Sequence, residues 1–128
     1  MKNRREMRIE TIICLYQFEL LDGNLEMISL DTINQDSKNL FLEILKNKEA
    51  IDQIIEENLE NYSFSRLSIM DKAIIRLATY ELKLTDTPAK IVINEAVEIT
   101  KKYSDLDDEK QHKFTNKLLD SIARSKNE

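Results

Sequence analysis

A chain of 128 residues is long enough for one compact domain with a real apolar core. One glycine and one proline are too few to build a turn-rich β protein, whereas 41% hydrophobic and 34% charged residues suit a helical one. The net charge of −5 argues against indiscriminate nucleic-acid binding. The charge is uneven, however: Lys2, Arg4, Arg5 and Arg8 against Glu6 give the first eight residues a balance of +3. A basic end on an acidic body can hold nucleic acid locally while the rest repels it.

No apolar run approaches the ~20 residues of a membrane span, and the amphipathic segment after the basic start does not read as a signal peptide. A cytoplasmic protein is expected. Cys14, the single cysteine, has no disulfide partner and reads as a small buried apolar residue. The sequence offers no zinc-ligand cluster, phosphate loop or nucleophile–base pair, so no cofactor and no enzyme activity is expected.

Helical periodicity runs through the chain. The first helix is expected over about 3–21, with Asn3 as N-cap and Ile9, Ile12, Ile13, Tyr16 and Leu20 at helical spacing. Gly23 ends it in a left-handed turn. A short helix is expected near 25–33, then one capped by Asp36 or Ser37 and carrying Leu40, Phe41, Ile44 and Leu45. The next covers about 48–61, with Ile51, Ile54, Ile55 and Leu59 inward. Residues 62–66 read as a linker whose aromatics pin it to the core. Ser68 and Asp71 form a capping box for a helix to about Leu84. Thr87 is expected as N-cap of the following helix, with Pro88 at its first position and Glu98 paired to Lys102. Asp107 or Asp108 then starts a last helix, to about Arg124. The expected fold is all-α, about seven helices. They form two small bundles, about 1–61 and about 66–125, with the first helix between them.

Some polar and aromatic residues break the pattern. Glu81 falls inside the apolar stripe of Met70, Ala73, Ile74, Leu77 and Leu84. An unpaired buried carboxylate is costly, so Glu81 either pairs within the fold or accepts hydrogen bonds from a partner protein. Glu95 borders the Val92–Ala96–Ile99 stripe. Phe114, between His112-Lys113 and Thr115, sits at the edge of the last helix's stripe. It is either an edge aromatic packed on the body or, beside the Lys113 cation, a platform for an unpaired RNA base.

The same residues carry a resemblance. Arg4-Arg-x-x-Arg8, Leu15-Tyr-Gln, Asp71-Lys-Ala-Ile-Ile-Arg-Leu-Ala, Tyr80-Glu-Leu, Pro88-x-Lys-x-Val-Ile-Asn-Glu-Ala-Val-Glu and His112-Lys-Phe-x-Asn occur in the order found in the NusB family of bacterial transcription antitermination factors, and the chain resembles that family over nearly its whole length. Met7, Lys117 and Tyr103-Ser104 depart from the usual pattern. The resemblance implies an all-helical RNA-binding adaptor. With NusE, a small-subunit ribosomal protein, it would bind the single-stranded boxA element of nascent RNA and support antitermination of ribosomal RNA transcription. Other antitermination factors and RNA polymerase would be indirect partners. It places RNA contacts on Arg4, Arg5, Arg8, Tyr16 and Phe114, and a NusE contact on Glu81. Two alternatives stand beside it. One is a helical interaction module without RNA binding. The other is the NusB-like module of a ribosomal-RNA methyltransferase, which would need a cofactor domain this chain does not contain.

Overall fold

A computed structural model describes residues 3–104 and 109–125. Among them are six α-helices and no strand: α1 (Arg4–Leu20), α2 (Gln35–Lys46), α3 (Lys48–Asn58), α4 (Ile69–Leu84), α5 (Ala89–Tyr103) and α6 (Lys110–Arg124). Single 3-10 turns cover Leu25–Met27 and Phe64–Arg66.

Local chemistry sets most boundaries. Asn3 caps α1 through a reciprocal box, accepting from the Glu6 amide at 2.8 Å while its own amide donates to the Glu6 carboxylate at 3.2 Å. Gly23, at φ +81°, closes the C-terminal end with its amide on the Phe18 carbonyl at 2.8 Å. A Cβ there would make only ordinary contact with the Phe18 ring, at 3.4 Å, so it is the positive φ that favours glycine. Ser68 caps α4 by accepting from the Asp71 amide at 3.1 Å.

Four expectations need correction. The segment after Gly23 forms only a 3-10 turn, because its exposed Leu25 and Met27 have nothing to pack on. Asn34 caps α2, accepting from the Asp36 amide at 2.9 Å, and Ser37 is buried inside the helix. Pro88, at ψ 136°, is the extended N-cap of α5 rather than its first helical residue, and Thr87 lies outside. Glu98 pairs with Lys101 at 3.3 Å, one position short of Lys102. The expected start of α6 at Asp107 or Asp108 lies outside the described residues.

α4 is the axis of the fold and touches every other helix. It is buried nearly all round: Ala73, Ile74, Ile75, Leu77 and Ala78 are at most 3% exposed. Leu84, counted in its stripe, instead stands in solvent at 47% exposure. Around it the core is filled by Leu15, Phe41, Ile44, Ile51, Ile55, Leu119 and Ile122, each stabilising by about 1.5–3 kcal/mol. Side-chain pairs fix the helix directions. Arg8 meets Glu81 and Glu19 meets Arg76, so α1 runs antiparallel to α4. Lys83 donates to the Ser125 carbonyl at 2.7 Å, bringing the ends of α4 and α6 together. Ser104, after α5, donates to Asp71 at the start of α4.

This topology gathers the start of α1, the end of α4 and the start of α5 at one corner. The linker before α4, the end of α3 and the first half of α6 gather at another.

Candidate nucleic-acid and partner interface

The first corner holds the arginine motif. Arg8 belongs to the inner face of α1, with Thr11, Ile12 and Leu15, and is 5% exposed. Its guanidinium grips Glu81 with two hydrogen bonds, Nε to Oε2 and Nη2 to Oε1, both 2.8 Å. The bonds to Glu81 raise the Arg8 pKa further, over the opposing effect of burial. This planar two-bond geometry is the strongest an arginine and a carboxylate make. Of the two readings left open for Glu81, the structure has the one in which it pairs within the fold, with both of its oxygens bonded to Arg8. Arg8, grouped by resemblance with Arg4 and Arg5, is held in that buried pair instead of standing in solvent.

Arg4 and Arg5 remain in solvent. Arg4 reaches Glu81 only loosely, Nη2 to Oε1 at 3.4 Å, with its side chain 69% exposed. Arg5 donates from Nε and Nη2 to the two oxygens of Glu95, at 2.9 and 2.8 Å. That fork holds the Glu95 carboxyl below its ordinary range, with the charges of Arg5 and Arg8 adding to it against partial burial. Arg4, Arg5, Asp86, Pro88, Ile91 and Glu95 line an open cleft of about 830 Å³.

The second corner holds Phe114. Its half-buried ring lies 5.6 Å from the Tyr62 ring at 54°, and the Arg66 guanidinium sits 5.1 Å from the centre of the same Tyr62 ring. Phe114 also lines a depression of about 320 Å³ with Asn58, Asn61 and Lys117. Its ring therefore packs against the core and Tyr62 as an edge aromatic and stays partly exposed. Lys113, one residue earlier, is exposed and only 4.0 Å from an equally exposed Glu109. Tyr16 sits half-buried against the core on α1, about two turns from Arg8. Phe114 and Lys113 are neighbours on α6 but line different depressions, Lys113 with Glu98 and Lys101 of α5. Both lie toward the start of α4, whereas Arg4 and Arg5 lie at its end, and that helix is roughly 24 Å long for its 16 residues.

Sequence reasoning gives Glu95, beside Asn94 at the border of a stripe, the structural role of bonding a neighbouring helix end, and the structure supplies Arg5 at the start of α1 as that partner. Arg76, which lies within an apolar run, is missed. It is 4% exposed and donates to Asp52 at 2.8 and 3.1 Å and to Glu19 at 2.7 Å, with the Phe64 ring 4.9 Å away. A lone arginine between Ile75 and Leu77 was the available signal, since such a residue must find acids elsewhere. Cys14 is fully buried, and burial with nearby Glu10 pushes its thiol up to about 11, so it stays protonated. Among the described residues no cluster of metal-binding side chains is present and no helix is long and apolar enough to cross a membrane.

Comparison with known proteins accounts for the arrangement as a whole. The model of the NusB family matches residues 4–124. The transcription antitermination protein NusB of Listeria monocytogenes (serotype 4a, strain HCC23) is 40% identical over 126 residues, covering 94% of this chain and 95% of its own. That of Staphylococcus aureus (strain MRSA252) is 35% identical over 131 residues, covering 95% and 99%. Among solved structures, T. maritima NusB is similar at a TM-score of 0.81 and 36% identity, over 96% of this chain and 92% of that one. A crystal structure of the antitermination factors NusB and NusE in complex with double-stranded RNA gives 0.75 and 28%, over 94% and 96%. With its sequence matched from the first turn of α1 to the last of α6, this chain belongs to the NusB family.

Proposed function

We propose that this chain is an RNA-binding transcription antitermination factor that acts with a NusE partner. The observation that carries the reading is the likeness, over 94% of this chain, to the structure of NusB and NusE with RNA. The residues fit the task. Arg4 and Arg5 supply exposed guanidinium groups whose forks match phosphate oxygens. Phe114 offers a ring with an open side, and Lys113 a cation beside it. Their separation suits a strand of several nucleotides laid along the molecule, with Tyr16 on α1 as a further contact. Arg8 and Glu81 support this surface by holding the start of α1 against α4. The RNA class proposed is the single-stranded boxA element of ribosomal RNA transcripts, and the protein works in the cytoplasm as an adaptor without chemistry of its own.

The acidic body makes binding by this chain alone weak, and a basic ribosomal-protein partner strengthens it. Fluorescence anisotropy of a labelled boxA-like RNA, with and without NusE and over a salt series, tests this. Binding is expected to tighten with NusE and to weaken as salt rises, because phosphate contacts release counterions. Phe114→Ala is expected to cost about 1–3 kcal/mol of binding, the range for one stacked base. Absence of RNA binding with and without NusE would leave a protein-interaction module and defeat the proposal.

A further inference from the structure

The arginine corner has an unexpected charge balance. Three guanidinium groups, Arg4, Arg5 and Arg8, meet three carboxylates. Glu81 pairs with Arg8 and touches Arg4, Glu95 pairs with Arg5, and Asp86 lines the same cleft. A segment that reads as +3 in sequence is therefore close to neutral in the fold, at the place where the chain offers its basic end.

Glu95 is the member of this set whose position bears on function. Its two oxygens lie in line with Nε and Nη2 of Arg5, at 2.9 and 2.8 Å. A phosphodiester presents the same two-oxygen edge to the same fork. The Arg8 Nη1 atom is 4.0 Å from Glu95 Oε1, so the carboxylate also receives the field of the buried arginine. The Arg5 side chain is half exposed, and that of Glu95 is 22% exposed on the cleft wall. The pair can thus open into solvent without unpacking the core. Glu81, by contrast, is locked against Arg8 inside the protein.

We propose that Glu95 is a resident substitute for phosphate: it fills the Arg5 fork in the free protein, and RNA engages Arg5 by exchanging with it. Glu95 is then an affinity- and specificity-setting residue for the RNA surface proposed above, and this inference rests on that reading. An isolated phosphate or a stray polyanion gains little at Arg5, because it must first displace a carboxylate. A strand that also contacts Arg4 and the Phe114 corner offsets that displacement with its other contacts.

Glu95→Gln tests this with little change in shape, since its amide oxygen still accepts from Arg5. Against a short labelled single-stranded RNA, the variant is expected to bind about two- to fivefold tighter than the native protein, the size expected of an exposed ion pair. In an Arg5→Ala background the same substitution should give no gain, because there is then no fork to vacate. Equal or weaker binding by Glu95→Gln overturns the proposal while leaving RNA binding intact. A gain that persists without Arg5 also overturns it, since it would reflect only a lower overall negative field. If neither protein binds RNA, the RNA reading fails. An inorganic phosphate titration followed at the Arg5 Nε–H resonance still decides the exchange: the resonance should respond at lower phosphate in Glu95→Gln, and an equal response would refute it.

Discussion

A Glu81→Ala variant is expected to lose about 3 kcal/mol of stability, the low end of the range for breaking a buried ion pair. The loss comes less from the missing hydrogen bonds than from what remains. Arg8 would be a 5%-exposed guanidinium with both of its Glu81 bonds gone. Glu95, 4.0 Å from Arg8 Nη1, can move in to compensate in part, which places the estimate at the low end. Urea unfolding followed by helicity measures this directly, with a lower midpoint at unchanged slope as the expected result. The control is removal of the pair together. Glu81→Leu with Arg8→Met leaves no orphaned charge and should recover most of the loss, as buried pairs replaced by apolar groups often do. Full stability in Glu81→Ala would mean that Arg8 rehydrates freely and that the pair does not anchor α1. The same variant bears on function, because the pair fixes the first turn of α1, where Arg4 and Arg5 project. Loosening it should lower RNA affinity without removing any group that touches RNA.

That pair also marks the limit of what the sequence makes legible. Periodicity and caps are local, so α1, α4 and their ends could be read from Asn3, Gly23 and Ser68 alone. The identity of α4 as the axis could not, because a helix buried on every side differs from an amphipathic one only through its neighbours. The resemblance groups Arg8 with Arg4 and Arg5 as one RNA-contacting motif. Its register with Ile12 and Leu15 was the better guide, since that stripe is the inner face of α1. Glu81 was legible as an anomaly, and the open question was which cation compensates it. That answer depends on a contact across 73 positions, which no local pattern contains. The cap of α2 was misplaced for a smaller reason. Asn34, Asp36 and Ser37 are all competent caps, and the choice among them is made by where the chain must turn. Residues 34 and 10 meet there, the Asn34 amide donating to Glu10 at 3.0 Å. The aromatic corner is half legible: Phe114 stands out on its wheel, but its tilted contact with Tyr62 depends on how the linker before α4 folds back on α6.

Arg76 carries the second large effect, and its pattern differs from that of Glu81. Arg76→Ala is expected to destabilise by about 2–4 kcal/mol, combining the loss of a buried cation with a cavity at the junction of α1, α3 and α4. The electrostatic part is smaller than for Glu81, because the acids left behind, Glu19 and Asp52, have side chains 27% and 24% exposed and can rehydrate. Lys72, 3.5 Å from Glu19, and Lys48, 3.0 Å from Asp52, also retain some charge compensation. The packing part is larger, because the guanidinium lies against the Phe64 ring and holds the linker turn onto α4. Arg76→Lys should recover only part of the loss. A single ammonium cannot bridge both oxygens of Asp52, reach Glu19 and stack on a ring together. The network also fixes a pH dependence. Burial tends to raise the Glu19 pKa, but the hydrogen bonds and charges of Arg76 and Lys72 outweigh it and hold the carboxyl below its ordinary value of 4.5. A carboxyl depressed in the folded state stabilises fully above its unfolded pKa and loses that contribution as pH falls through its folded one. Native stability should therefore decline on acidification below about pH 4.5, and in Arg76→Ala the part due to Glu19 should be largely gone. Urea midpoints measured for both proteins between neutral pH and pH 3 decide it. Parallel declines in the two would show that Arg76 does not set the ionisation of Glu19, and the network would then be a packing device alone.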